Sequence, residues 1–258
     1  MRIKEIPDWE NGYILKRSML VSLSDAAILT NELLRKGYAN GILSGCELAV
    51  TDDTIIVNPG LFFFEGQIFM LKKNLSVKYS PANVTMVLKL CFSDEVRDAD
   101  CIYREAELRL TEQIALQAGE LELCRFKLQE GAKLRCQYQD FEDMDTEYDT
   151  LNIIYASQAA RGESTLLPEI TKTFAREMLK YEEVSEFDAL FCLQILGQSD
   201  AITKEALISY IEYKTKSQLD SHSNIAVYRA LLTILRQQAG TIEKTERKEK
   251  KVWKMTLE

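Results

Sequence analysis

Residues 41–71, GILSGCELAVTDDTIIVNPGLFFFEGQIFML, place short apolar alternations between the pairs Ser44-Gly45, Asp52-Asp53, Pro59-Gly60 and Glu65-Gly66. Successive side chains of an extended chain point to opposite faces, so the pattern reads as consecutive strands of one antiparallel meander. Leu48 and Val50 alternate with Glu47, Ala49 and Thr51, Asp52-Asp53 turns the chain, and residues 55–57 return as the second arm of a hairpin. Pro59-Gly60 fits the centre of a type II turn, proline fixing its own φ and Gly60 taking the positive φ that follows. A third strand covers 61–64, and Glu65-Gly66 turns it into a fourth. Pro59, Gly60 and Gly66 are the structural turn residues of this reading.

Upstream, Ser24 or Asp25 suits the cap of a helix whose apolar stripe is Leu29, Leu33 and Leu34 and which Gly37 closes; it is expected to pack against the sheet. Downstream, residues 75–79 form a short strand, 81–83 a turn and 84–92 a buried strand rich in apolar and β-branched residues. The polar run SDEVRDAD at 93–100 interrupts the pattern. Residues 101–110 alternate as a half-buried strand, though a helix also fits them. Residues 120–128 alternate again with Leu121 and Leu123 on one face, and 133–137 are expected to close the sheet beyond Gly131.

Residues 140–149, DFEDMDTEYD, carry six acidic groups in ten positions and no alternation, and mark a junction read as a solvated linker. Beyond it the period is helical. Pro168 suits the first turn of a helix to residue 181, Ser185 caps one that Gly197 ends, residues 203–219 place Leu207, Tyr210 and Ile211 on one side, and 224–238 form the last packed helix. The fold class is therefore α+β: a β-rich module over 1–140 with one preceding helix, a small helical bundle over 150–240, and a charged tail over 241–258.

With 46% hydrophobic and 28% charged residues in a chain of 258, the composition is that of an ordinary soluble protein. No apolar run approaches the roughly 20 residues of a membrane span. Residues 1–12 lack the apolar core of a secretory signal. A net charge of -8 argues against broad nucleic-acid binding, and the basic run at 244–254 is diluted by Glu246 and Glu249 and reads as a solvated helix end or frayed terminus. The six cysteines are dispersed without a C-x-x-C pair and sit in apolar patterns, as buried reduced thiols do.

His222 is the sole histidine and falls in an interhelical turn, so a Ser-His or Cys-His dyad has a single, poorly placed base and two-histidine metal sites are excluded. Neither a phosphate loop nor a dinucleotide turn is present. The pairs Glu105/Glu107 and Glu120/Glu122 share strand faces, which alternation alone explains. The acidic run 140–149 lacks the glycine-centred loop of an EF-hand. No catalytic residue, cofactor or metal site is assigned. Phe62, Phe63 and Phe64 are candidate interface residues: alternation sends Phe63 opposite to its neighbours, and the face away from the core is covered either by a helix of the same chain or by another subunit.

The arrangement G-x-x-S-G-C-x-L at 41–48, followed by V-x-P-G at 57–60 and Gly66, resembles a segment near the N-terminus of bacteriophage tail and baseplate proteins. The resemblance extends to ELELCRFKLQEG at 120–131. It implies a non-enzymatic structural component of a phage or prophage tail, at the baseplate or fibre-attachment level. Such a protein is made in the bacterial cytoplasm, carried in a virion or tail-like particle, and works as an oligomer beside other tail and baseplate proteins. A carbohydrate-binding module displaying Tyr79, Tyr103 or Tyr138 is the alternative, and a cell-wall hydrolase the third reading.

Overall fold

The computed structural model describes residue 14 and residues 16–99 and 102–255; the segment read as lacking a secretory signal, and Cys101, lie outside them. The architecture is α+β, with a leading helix, antiparallel sheets and four helices in the second half.

Helix α1 (Arg17–Leu34) begins seven residues, about two turns, before Ser24, and Gly37 follows it at a φ of 86°. The 41–71 stretch then forms five strands: β1 (Gly41–Gly45), β2 (Leu48–Val50), β3 (Thr54–Val57), β4 (Gly60–Phe64) and β5 (Gln67–Leu71). The two hairpins are as read. β2 pairs with β3 across Asp52-Asp53, and β4 pairs with β5 in a register that sets Phe64 against Gln67. Glu65 and Gly66 have φ of 49° and 80°, the two positive values a type I′ connection requires.

The single meander is not formed. β1 crosses over to β4, giving one sheet of order β1-β4-β5, while β2 and β3 join β6 (Leu75–Lys78) in a second. A third sheet is built on β7 (Met86–Phe92), flanked by β10 (Ala106–Thr111) and β11 (Glu120–Phe126); β8 (Val96–Arg97) and β9 (Ile102–Tyr103) make a small ribbon within the polar loop. Phe92 joins the layers, stacking on Phe64 at 4.6 Å between ring centroids and touching Phe62 and Phe69.

Residues 133–137 do not add a strand; Arg135 makes one isolated bridge, to Thr150. Two sheet edges, those of β11 and β1, are covered by residues 149–161 instead. Asn152 exchanges both backbone hydrogen bonds with Arg125 of β11, and further along the Ser157 carbonyl and Ala159 N–H bond Ile42 of β1. Pairing both edges satisfies strand groups that otherwise stand open to other chains.

The helices are α2 (Pro168–Met178), α3 (Glu186–Gly197), α4 (Lys204–Thr215) and α5 (Asn224–Met255). Ser185 and Thr203 cap α3 and α4 through the N–H groups of Asp188 and Ala206. Leu207, Tyr210 and Ile211 are buried on one side of α4. Helix α5 continues past 238 through most of the expected tail.

The acidic run 140–149 is not a solvated linker. Within it a 3-10 turn (Glu142–Asp145) follows the buried Phe141 and itself carries the buried Met144. Phe141 packs on Phe174 of α2 and Tyr228 of α5, its N–H bonds Glu177, and its carbonyl accepts from the Tyr228 hydroxyl. Phe141 and Met144 belong to one buried cluster that also holds Leu88 of β7 and Leu231 of α5. Glu142 and Glu147 are exposed, Asp143, Asp145 and Asp149 are half-buried on partners from the body, and two apolar residues anchor the segment, so charge density alone misled.

Candidate assembly surface

The turn residues come first. Gly60 does not have the positive φ expected of it; the left-handed residues here are Gly45 and Cys46, at 71° and 64°. Gly60 opens β4 opposite Gly45, where β1 bulges between Ile42 and Ser44. A Cβ on Gly60 would lie 2.5 Å from the Cys46 nitrogen and 2.6 Å from the Ser44 carbonyl, and against the Cys46 sulfur; one on Gly45 would meet the Pro59 carbonyl. The two backbones touch here, with the Cys46 N–H donating to the Pro59 oxygen at 3.2 Å. Glycine is required by close approach and not by a type II turn.

Phe62, Phe63 and Phe64 are 2%, 3% and 5% exposed, so the chain itself covers all three and none offers a free interface. Alternation holds: Phe62 and Phe64 face Phe92, while Phe63 meets Tyr38 edge-on at 6.2 Å on the other side.

The carbohydrate reading loses its platform. Tyr79 is buried, its hydroxyl donating to the carbonyls of Thr51 and Asp52 and its ring against Phe126. Tyr138 is half-buried and donates to Leu151 O, leaving Tyr103 exposed on the β8–β9 ribbon. The carboxylates are engaged structurally. Lys89, 1% exposed, reaches Glu120 at 2.8 Å and the Ala115 carbonyl at 2.7 Å, which holds Glu120 below the usual carboxylate range. Glu122 lies beyond a bulge in β11 on the Arg125 guanidinium; burial raises its carboxyl and Arg125 opposes that rise. Glu107 pairs with the exposed Arg109. His222 is exposed, and burial drives the Cys46 and Cys192 thiols up to about 12, so they are poor nucleophiles at neutral pH.

An open cleft of about 640 Å³ lies between β1 and the start of α2, with Glu47, Glu169, Lys172, Arg161, Tyr38 and Tyr138 among its lining residues. Both charge signs line it, and no ligand class follows from the set.

The surface that stands out is α1. None of its side chains is buried. Leu20, Val21, Leu23, Ile28, Leu29, Leu33 and Leu34 are between 45% and 67% exposed, and the helix meets the body chiefly at β5, where Met70 is itself 64% exposed. The helix thus touches the sheet at β5 without burying the stripe named from the sequence, whose leucines stay exposed. Its first turns were missed by placing the cap at Ser24, although Met19, Leu20, Val21 and Leu23 already carried the helical pattern. A smaller apolar patch on α3 and α4, formed by Phe187, Leu190, Leu193 and Tyr213, was missed too; the signal was a helix apolar on every side.

No protein-family model matches the chain, and no curated protein sequence matches it. Among solved structures it is similar to a crystal structure of TssK, at 12% identity and a TM-score of 0.40, over 91% of this chain and 69% of that one. It is also similar to a chain of the type VI secretion system TssK-TssF-TssG baseplate subcomplex seen by cryo-electron microscopy, at 10% identity and a TM-score of 0.44, over 91% and 98% of the two chains. A chain of the baseplate complex from the type VI secretion system gives 12% identity and a TM-score of 0.37, over 91% and 99%. These likenesses are distant in both sequence and superposition.

Proposed function

We propose that the protein is a non-enzymatic structural component of a phage or prophage tail, at the baseplate or fibre-attachment level, working through oligomeric assembly with other tail proteins. The observation that carries the assembly reading is α1, an apolar helix that its own chain leaves in water. A helix of this composition is stable in solution only when something covers it. The resemblance of residues 41–66 and 120–131 to tail and baseplate proteins supplies the setting. The division of labour between a β-rich module over 1–140 and a helical module over 150–240 belongs to the same proposal, the second presenting the Phe187–Tyr213 patch to a neighbour.

The test is coexpression with the products of neighbouring genes, followed by purification on a tag carried by this chain. A stoichiometric complex with a tail-tube, sheath or fibre protein is expected. Neighbouring genes without tail functions, together with a chain that purifies alone, overturn the reading.

A further inference from the structure

We infer that α1 is a self-association element: copies of this chain pack their α1 helices side by side, in parallel, along a seam of Leu20, Ala27 and Leu34 with Leu23 and Thr30. The inference rests on the assembly reading above and names its first partner.

The spacing carries the argument. Leu20, Ala27 and Leu34 recur every seven residues, Leu23 and Thr30 follow three later, and Met19, Ala26 and Leu33 stand one before. That is the average period of about 3.5 that keeps one stripe of a helix facing a partner helix along its length. Alanine in the middle of the seam lets the backbones approach, with leucine layers at both ends.

Charge points to identical partners. Between Ser18 and Asn31 the helix has a single charged residue, Asp25. Asp25 and Glu32 are themselves seven apart and fall on the side opposite the seam. Parallel copies in register therefore bury no charge and bring no like charges together. The seam offers no charge pattern to select a foreign chain, while every copy supplies the same stripe at the same height. A membrane surface suits the helix poorly, because Arg17 is its only basic residue and interfacial helices carry several on the polar face.

Four of the exposed leucines serve this contact: Leu20, Leu23 and Leu34 lie on the seam and Leu33 beside it, whereas at about 3.6 residues per turn Val21, Ile28 and Leu29 fall on the side of Asp25 and Glu32 and stay outside it.

The test uses the full chain in analytical ultracentrifugation over a dilution series. The wild type is expected to be an oligomer. Leu20→Ser with Leu34→Ser should weaken association about a hundredfold or more, at about tenfold per buried leucine lost, and shift the protein to monomer. Both positions are exposed in the single chain, so its melting temperature at low concentration should not change, which separates lost assembly from lost folding. Leu20→Cys should form a disulfide between copies on mild oxidation, because a parallel seam sets Leu20 beside Leu20 whereas an antiparallel one centred on Ala27 sets it beside Leu34, with the wild type as the uncrosslinked control. A monomeric wild type, an oligomer indifferent to the double substitution, or loss of the helix to vesicles of phosphatidylglycerol overturns the inference. A monomer that still copurifies with tail proteins overturns self-association and leaves the baseplate-level reading intact; an oligomer that captures none does the reverse.

Discussion

Replacing Gly60 with alanine separates the two reasons a glycine is needed at that point. If Gly60 served a type II turn, the added methyl would cost only the strain of a left-handed backbone, about 1–2 kcal/mol. In the structure the methyl meets the Cys46 nitrogen at 2.5 Å and the Ser44 carbonyl at 2.6 Å as well as the Cys46 sulfur. Those first two atoms are backbone, inside the β1–β4 register, and cannot rotate aside. Relief requires β1 to move away from β4, which breaks the Cys46–Pro59 hydrogen bond and loosens Ile42 and Phe62 in the core. Overpacking of this kind costs about 3 kcal/mol, a large fraction of the roughly 5–15 kcal/mol that holds a folded protein together. For a chain of this size that is about 6–12 °C in melting temperature. Gly66 is the internal control, since a Cβ there meets nothing within 4 Å and carries only the strain of a φ of 80°. Gly66→Ala should cost about 1 kcal/mol, and Gly66→Asn less. Cys46→Ala should relieve Gly60→Ala only in part, because it removes the sulfur and leaves the nitrogen. Guanidinium unfolding of the four variants gives the ranking; Gly60→Ala milder than Gly66→Ala, or full rescue by Cys46→Ala, would refute the close-approach argument.

Three further outcomes follow from the buried groups of the second half and its junction. Asp188, fully buried, accepts from the Ser185 hydroxyl, the Tyr210 hydroxyl at 2.8 Å and Lys214 at 2.7 Å; Asp188→Ala should cost about 3 kcal/mol in chemical denaturation, and a loss below about 1 kcal/mol would show that the network adds nothing. The Arg135 guanidinium holds the Asp143 carboxyl well below the usual carboxylate range; its folded pKa is depressed, so its contribution is present above about pH 4 and lost as the pH falls below that. Asp143→Asn should therefore flatten the acid limb of a stability–pH curve below about pH 4, and, because both carboxylate oxygens are already engaged, millimolar calcium should leave the melting temperature in place. Limited proteolysis should open the polar loop at 93–100 or the helix beyond 240 before it cuts at 140–149, where Phe141 and Met144 are buried; early cleavage there releasing two folded fragments would instead show a free linker between the proposed modules.

Legibility divided along the length of chain needed to specify a feature. The cap Ser185, Pro168 at the head of α2, the Asp52-Asp53 and Glu65-Gly66 hairpins and the buried side of α4 are written within three to seven consecutive residues. Each rests on a local backbone requirement or on the helical period, and all were readable. His222 in its exposed turn was readable for the same reason.

The sequence by itself determined which segments are strands and helices and where most of them turn, because those choices are made by neighbours along the chain. Tertiary structure alone decided the partners. An alternating strand matches any other of similar length, so nothing in 41–71 says that β1 must skip β2 and β3 to pair with β4, and the cost of adding a Cβ at Gly60 exists only once that pairing is made. Phe141 and Met144 disappear among acidic neighbours until Phe174 and Tyr228 close over them. Helix α1 shows the converse: its apolar stripe was legible, but a stripe states only that a surface must be covered, and among the described residues the fold leaves it uncovered.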